Sequence, residues 1–211
     1  RFGLSVPLWI GAVALGAAAD ISKVNSSIDV EAGREVGDVE TVNGSITIGS
    51  AARVRDAETV NGSIRLEPRA TAEAVETVNG AVTLAEDVRV SGDAGTVNGK
   101  LTLMRGAHVD GRLENVNGAF RLEGATVRGG IATVNGDVFV GAGSRVDGGI
   151  LVEKPGRGWW RKSERLPRIT IESGAEVNGT LRFEREVELY VGAGATVGPI
   201  EGVAPQRHAL P

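Results

Sequence analysis

The chain has 211 residues, a formal net charge of −4, two histidines and no cysteine. The length suits one solenoid domain, and the acidic balance excludes a global nucleic-acid footprint. Without cysteine there is no disulfide framework and no thiolate metal cage, so neither a metal nor a cofactor is expected.

Residues 1–19 differ in character from the rest of the chain. Arg1 precedes the apolar run Leu4-Ser-Val-Pro-Leu-Trp-Ile-Gly-Ala-Val-Ala-Leu-Gly, and Ala17-Ala18-Ala19 offers small residues at a cleavage site before Asp20. This reads as a secretory signal peptide, with an N-terminal membrane anchor as the alternative. The expected address is exported, in a bacterial periplasm or at the cell surface.

From there a repeat governs the chain. Val36, Val54, Ala72, Val90, Val109, Val127, Val146, Val177 and Val197 follow at spacings of 18, 18, 18, 19, 18, 19, 31 and 20 residues. A fixed period in this range means one small supersecondary unit stacked on copies of itself. A second apolar column is Ile28, Ile46, Ile64, Val82, Leu101, Phe120 and Val138. Pairs such as Ile46/Ile48 alternate with polar residues, the strand period of two. No apolar face recurs at helical spacing. The expected fold is therefore all-β: a single-stranded parallel β-helix over 20–204, of about nine coils of 18–19 residues, with a C-terminal tail at 205–211. At about 4.8 Å per coil the rod would be roughly 40–45 Å long. The extra residue in some coils fits a looser turn, so a right-handed helix is favoured over a left-handed one.

Counting in sixes from Val54 puts Val42, Val60 and Val78 in a third inward column. Aromatics are only 4% of the chain, as expected for a core too thin for rings. Asn-Gly recurs at Asn43, Asn61, Asn79, Asn98, Asn117 and Asn135. These residues tolerate positive φ, which predicts a tight bend there, and stacked asparagines predict a hydrogen-bonded structural ladder along the rod. Thr41, Thr59, Thr77, Thr96 and Thr133, with Asn115 in the gap, form a parallel column whose direction the pattern leaves open. Val177-Asn178-Gly179 imitates the motif, but Ile169-Thr-Ile-Glu-Ser-Gly-Ala-Glu-Val177 aligns with Ile46 to Val54, so Asn178 belongs to a different corner.

The 31-residue gap is one coil plus 12 or 13 residues, which fall between Val152 and Ile169. This insertion, 153–168, carries Lys154, Arg157, Arg161, Lys162, Arg165 and Arg168 around Trp159 and Trp160. Cations beside indoles suit anionic surfaces such as lipid headgroups or acidic polysaccharide, and Trp anchors protein interfaces. The loop is the candidate partner-binding element. In the competing reading both indoles fold back over the rod. The ends are the other candidate surface, since an uncapped solenoid end is an open sheet edge. Pro199 and Pro205 blunt the C-terminal end, which leaves the N-terminal end for end-to-end self-association.

The run Val127-Arg-Gly-Gly-Ile-Ala-Thr-Val-Asn-Gly-Asp-Val-Phe-Val-Gly-Ala-Gly-Ser-Arg-Val-Asp-Gly-Gly-Ile150 resembles the bactofilins, bacterial polymer-forming scaffolds built on a right-handed parallel β-helix. The Val-Asn-Gly coils also resemble the β-strand-repeat adhesins of bacterial envelopes. Val191-Gly-Ala-Gly-Ala-Thr-Val197 is similar to the repeat of left-handed hexapeptide acyltransferases, which rely on a catalytic histidine. Here only His108 and His208 exist, one at an outward turn position and one in the tail. Glu184, Glu186 and Glu188 are interleaved with Arg182 and Arg185, as on a solvated edge. The expected function is thus non-enzymatic: a scaffold or adhesin-like envelope protein that self-associates or binds an envelope partner. A carbohydrate-active or acyl-transferring enzyme on the same fold is the alternative.

Overall fold

A strand two to five residues long buries nothing alone, so the fold is decided by stacking. The computed structural model describes residues 18–155 and 165–209. Among them all regular structure is strand, and the strands pair in parallel, one rung per coil. The chain is a parallel β-solenoid of about nine turns, with the 18–19-residue register that the repeat predicts: Ile46 pairs with Ile64 and Ile64 with Val82.

Three faces enclose the core. The isoleucine face stacks Ile28–Val30, Ile46–Ile48, Ile64–Leu66 and Val82–Leu84, and continues through Asp137–Val140 and Arg168–Ile171. The short face carries two-residue strands such as Arg89–Val90 and His108–Val109. The threonine face stacks Val39–Asn43, Asp56–Asn61 and Ala74–Asn79. In the next two coils the threonine and isoleucine strands fuse across the corner into Ala94–Leu103 and Leu113–Leu122. Inward Val, Ile, Leu and Ala fill one continuous core along the rod. Phe120 and Phe183 are its largest side chains, both fully buried, so the core does hold rings where a neighbouring rung makes room.

Strict alternation corrects the third column. On the threonine face Val39 and Thr41 point inward while Glu40 and Val42 point outward. Val42, Val60 and Val78 are about 40% exposed (42%, 41% and 38%), and the threonines are the buried residues, at 4–5% from Thr41 to Thr96 and 1% at Thr133. Counting in sixes crosses a corner and slips by one residue, and a one-residue slip exchanges the faces of a strand.

The bend chemistry is corrected too. Positive φ falls at neither Asn nor Gly of the first Asn-Gly corners. It falls three residues before each inward residue of the short face, Ala72 and eight valines: at Gly33, Ala51, Arg69, Asp87, Gly106, Gly124, Gly143, Gly174 and Gly194. At the Asn-Gly corner glycine is required by proximity. A Cβ on Gly80 would lie less than 3.0 Å from the carbonyl oxygen of Gly62 in the coil below. The threonine hydroxyls use that approach. Thr59 donates to Gly44 O at 3.0 Å, Thr77 to Gly62 O at 2.9 Å and Thr96 to Gly80 O at 3.0 Å. The half-buried carbonyl at the corner thereby finds a donor. Asn115 does the same with its amide, donating to Gly99 O at 2.7 Å, and leaves its own Oδ1 buried without a partner.

The segment read as a tail also differs. Gln206–Ala209 forms a strand on Glu188–Val191, and His208 stacks on Tyr190 with ring centroids 4.6 Å apart. Pro199 and Pro205 therefore precede one more rung instead of ending the stack. At the other end Ile21–Lys23 pairs with Val39–Asn43.

Candidate interaction surface

The asparagine ladder runs along the corner between the threonine and isoleucine faces. Each Nδ2 donates to the Oδ1 of the coil below, from Asn43 to Asn25 at 2.9 Å through Asn61, Asn79, Asn98 and Asn117 to Asn135 at 3.0 Å. The next coil holds the insertion and has no asparagine there. Arg185, from the coil after, caps the last acceptor: its guanidinium donates to Asn135 Oδ1 at 2.6 Å.

The insertion leaves the rod at this corner. Thr133 pairs with Val152 and Val138 with Ile169, so both sides of the loop resume the register of the coil below. Of the eight loop residues expected to bind a partner, Arg157, Trp159, Trp160, Arg161 and Lys162 lie outside the described residues. The other three are at its feet. Lys154 is exposed, and its backbone N–H donates to Glu184 Oε2 at 3.3 Å. Arg165 pairs with Asp137. Arg168 donates to Glu188 Oε2 at 3.2 Å and lies 5.2 Å from the Tyr190 ring centroid. The Glu188 carboxylate beside it raises the Arg168 pKa further. Arg165 and Arg168 thus tie the returning strand to adjacent coils.

The threonine face presents the more ordered surface. Its outward residues form two columns. One is Glu40, Glu58, Glu76, Gly95, Glu114 and Ala132, which are in register from coil to coil. The other is Val24, Val42, Val60, Val78, Val97, Val116 and Val134. Five large apolar side chains are exposed among the described residues: Val24, Val42, Val60, Val78 and Val203. All five stand in this one column, because Phe183 pairs with Gly202 and so brings Val203 into line. Like charges one rung apart repel. Partial burial, with Glu76 and Glu40 on either side, raises the Glu58 pKa above the ordinary value. None of the ion pairs among the described residues involves Glu40, Glu58 or Glu76. Where Gly95 and Ala132 interrupt the acidic column, the face sinks into an open groove of about 240 Å³ between Glu76, Glu114 and Glu153.

Sequence reasoning missed this surface, although the signal was present in Val39-Glu-Thr-Val-Asn-Gly44. Alternation counted within the strand, and not across the corner, places Glu40 and Val42 on one side. His108 is no solvent-exposed turn histidine: it lies on the short face, half-buried, with Nε2 3.0 Å from Asp110 Oδ1. Arg128 holds the same carboxylate, and His108 and Arg128 together keep Asp110 below the usual carboxylate range. Glu184, Glu186 and Glu188 lie at and beyond the insertion corner, with Glu184 3.8 Å from Arg182. No group of three or more acidic or histidine side chains is placed to hold a metal ion among the described residues.

No family model, no curated protein and no solved structure matches this chain.

Proposed function

We propose that this chain is a non-enzymatic structural or interaction protein of the bacterial cell envelope, a scaffold or adhesin-like rod of the bactofilin-like kind. In this reading it is exported, or anchored, through residues 1–19. It self-associates through its ends, and its basic Trp-bearing loop engages an anionic envelope surface or an envelope protein. The single observation that carries the reading is the outward threonine face. Its exposed apolar side chains form one file along the rod, an arrangement suited to a long contact and not to a small substrate.

Three further features support it. Cleavage before Asp20 would leave a residue already built into the first coil, since Asp20 Oδ1 accepts from the Asp38 N–H at 2.9 Å. Among the described residues the terminal strands, Ile21–Lys23 at one end and Gln206–Ala209 at the other, each pair on one side only. The two tethered cations, Arg165 and Arg168, hold the returning foot of the insertion against the rod.

The test is sedimentation of the chain from Asp20 across concentration and salt, together with co-sedimentation on vesicles of anionic and of neutral phospholipid. Oligomers, or loop-dependent binding to the anionic vesicles, are expected. A monomer that binds neither lipid nor acidic polysaccharide would overturn the reading, as would turnover of a polysaccharide or acyl donor.

A further inference from the structure

Among the described residues no side chain pairs with the Glu40, Glu58 or Glu76 carboxylates of the acidic, valine-lined face. Glu40, Glu58 and Glu76 stand in register on successive rungs, all exposed, with Val42, Val60 and Val78 beside them. The surface that complements them is cationic and aromatic. The chain itself contains such a segment: residues 156–164 read Gly-Arg-Gly-Trp-Trp-Arg-Lys-Ser-Glu, with three cations around two indoles.

Chain length decides whether that segment is the molecule's own. The loop leaves at Glu153, in line with Val134, since Thr133 pairs with Val152. Glu58 lies five rungs below Glu153 and Glu40 six, which is about 24 and 29 Å at the usual rung spacing. Trp160 is five residues from Pro155 and five from Arg165. Fully extended, five residues reach at most about 18 Å. With about 6 Å more for an extended side chain the reach is about 24 Å, which takes in the rungs of Glu76 and Glu58 but not that of Glu40, so the loop of the same molecule falls short of the whole file and only the loop of another can cover its far end.

We propose that the face formed by Glu40, Glu58 and Glu76 with Val42, Val60 and Val78 docks the cationic Trp-bearing segment 156–164 of a second copy of this chain. The contact is lateral and brings rods side by side. Arg157, Arg161 and Lys162 meet the stacked carboxylates, relieving their mutual repulsion, and the indoles cover the valine file. The inference rests on the proposed binding of the loop to an anionic surface, and it names that surface.

The test uses two variants of the full chain. The face variant is Glu40→Lys/Glu58→Lys/Glu76→Lys, and the loop variant is Arg157→Glu/Trp159→Ala/Trp160→Ala/Arg161→Glu. Far-UV circular dichroism verifies that each keeps the wild-type strand signal, and Glu→Gln replaces Glu→Lys if the face variant does not. Sedimentation is expected to show concentration-dependent, salt-sensitive association of the wild type, weakened about tenfold or more in either variant alone. Mixed in equal amounts, the two variants are expected to form a one-to-one complex, because each keeps the half the other lacks. A wild type that stays monomeric overturns the proposal. So does association that survives both variants, or a mixture that fails to pair. Binding of the wild type to anionic vesicles separates the two readings. If vesicles are bound through the loop and no copies pair, the loop reading stands and only this inference falls. If the loop binds neither, both fall.

Discussion

Glycine serves two unrelated purposes in this rod, and one pair of substitutions separates them. Gly80 sits at an Asn-Gly corner where a Cβ would press against backbone atoms of Gly62 at less than 3.0 Å. Ordinary contact begins near 3.4 Å, so coils must part locally. Three bonds span that seam: Thr77 Oγ1 to Gly62 O at 2.9 Å, Gly62 N to Asn79 O at 3.1 Å, and Asn79 Nδ2 to Asn61 Oδ1 at 3.0 Å. At about 1 kcal/mol net for each, opening the seam costs about 3 kcal/mol. The smaller unfolded-state entropy of alanine returns about 0.4–1 kcal/mol of this. Gly174 is the control. Its φ is +75° and no atom lies within 4 Å of a built Cβ, so Gly174→Ala meets only the left-handed backbone penalty of about 1–2 kcal/mol. With the same entropic return, its net cost is on the order of 0.5–1 kcal/mol. Urea unfolding followed by circular dichroism should therefore place Gly80→Ala about 1–2 kcal/mol below Gly174→Ala, a midpoint difference of about 0.5–1 M for a slope near 2 kcal/mol/M. If Gly80→Ala is no worse than Gly174→Ala, coil-to-coil proximity is not what requires glycine at this corner.

The same geometry gives three more expected outcomes. Asn115→Thr should raise stability by about 1 kcal/mol in the same assay, because it removes a buried unpartnered oxygen and restores the hydroxyl-to-carbonyl bond of the neighbouring coils. Arg69→Gly should stabilise by about 0.5–1 kcal/mol, since Arg69 holds φ at +65° where six other coils use glycine; a loss of stability would show that its side chain matters more than its backbone. Glu58→Gln should raise the thermal midpoint at neutral pH and leave it unchanged well below 4.5, the ordinary value for its carboxyl. The sign comes from the raised folded pKa. The folded state holds its proton to higher pH than the unfolded chain, so the charged form weakens the fold as pH rises through that window, and below it both states are protonated. A gain that persists in acid would rule out charge repulsion as its source.

The repeat by itself determined a good deal of this protein. A valine column every 18 or 19 residues, an alternating pair beside it and an Asn-Gly once per coil leave only stacked short strands, because no other arrangement buries those columns. Alignment of Ile169–Val177 on Ile46–Val54 put the extra residues between Val152 and Ile169, and the strands on either side keep the register of the coil below, Val152 with Thr133 and Ile169 with Val138. What the sequence withheld lies at the corners. A corner breaks the period of two, so the direction of Thr41 against Val42 depends on where the chain turns. A corner also decides whether a glycine is there for its φ or for the carbonyl of the coil below. Those are distances between residues 18 apart, and only the stacked structure sets them. The same holds for the outward face: Glu40, Glu58 and Glu76 are scattered letters in the chain and become one charged file when the coils are laid in register.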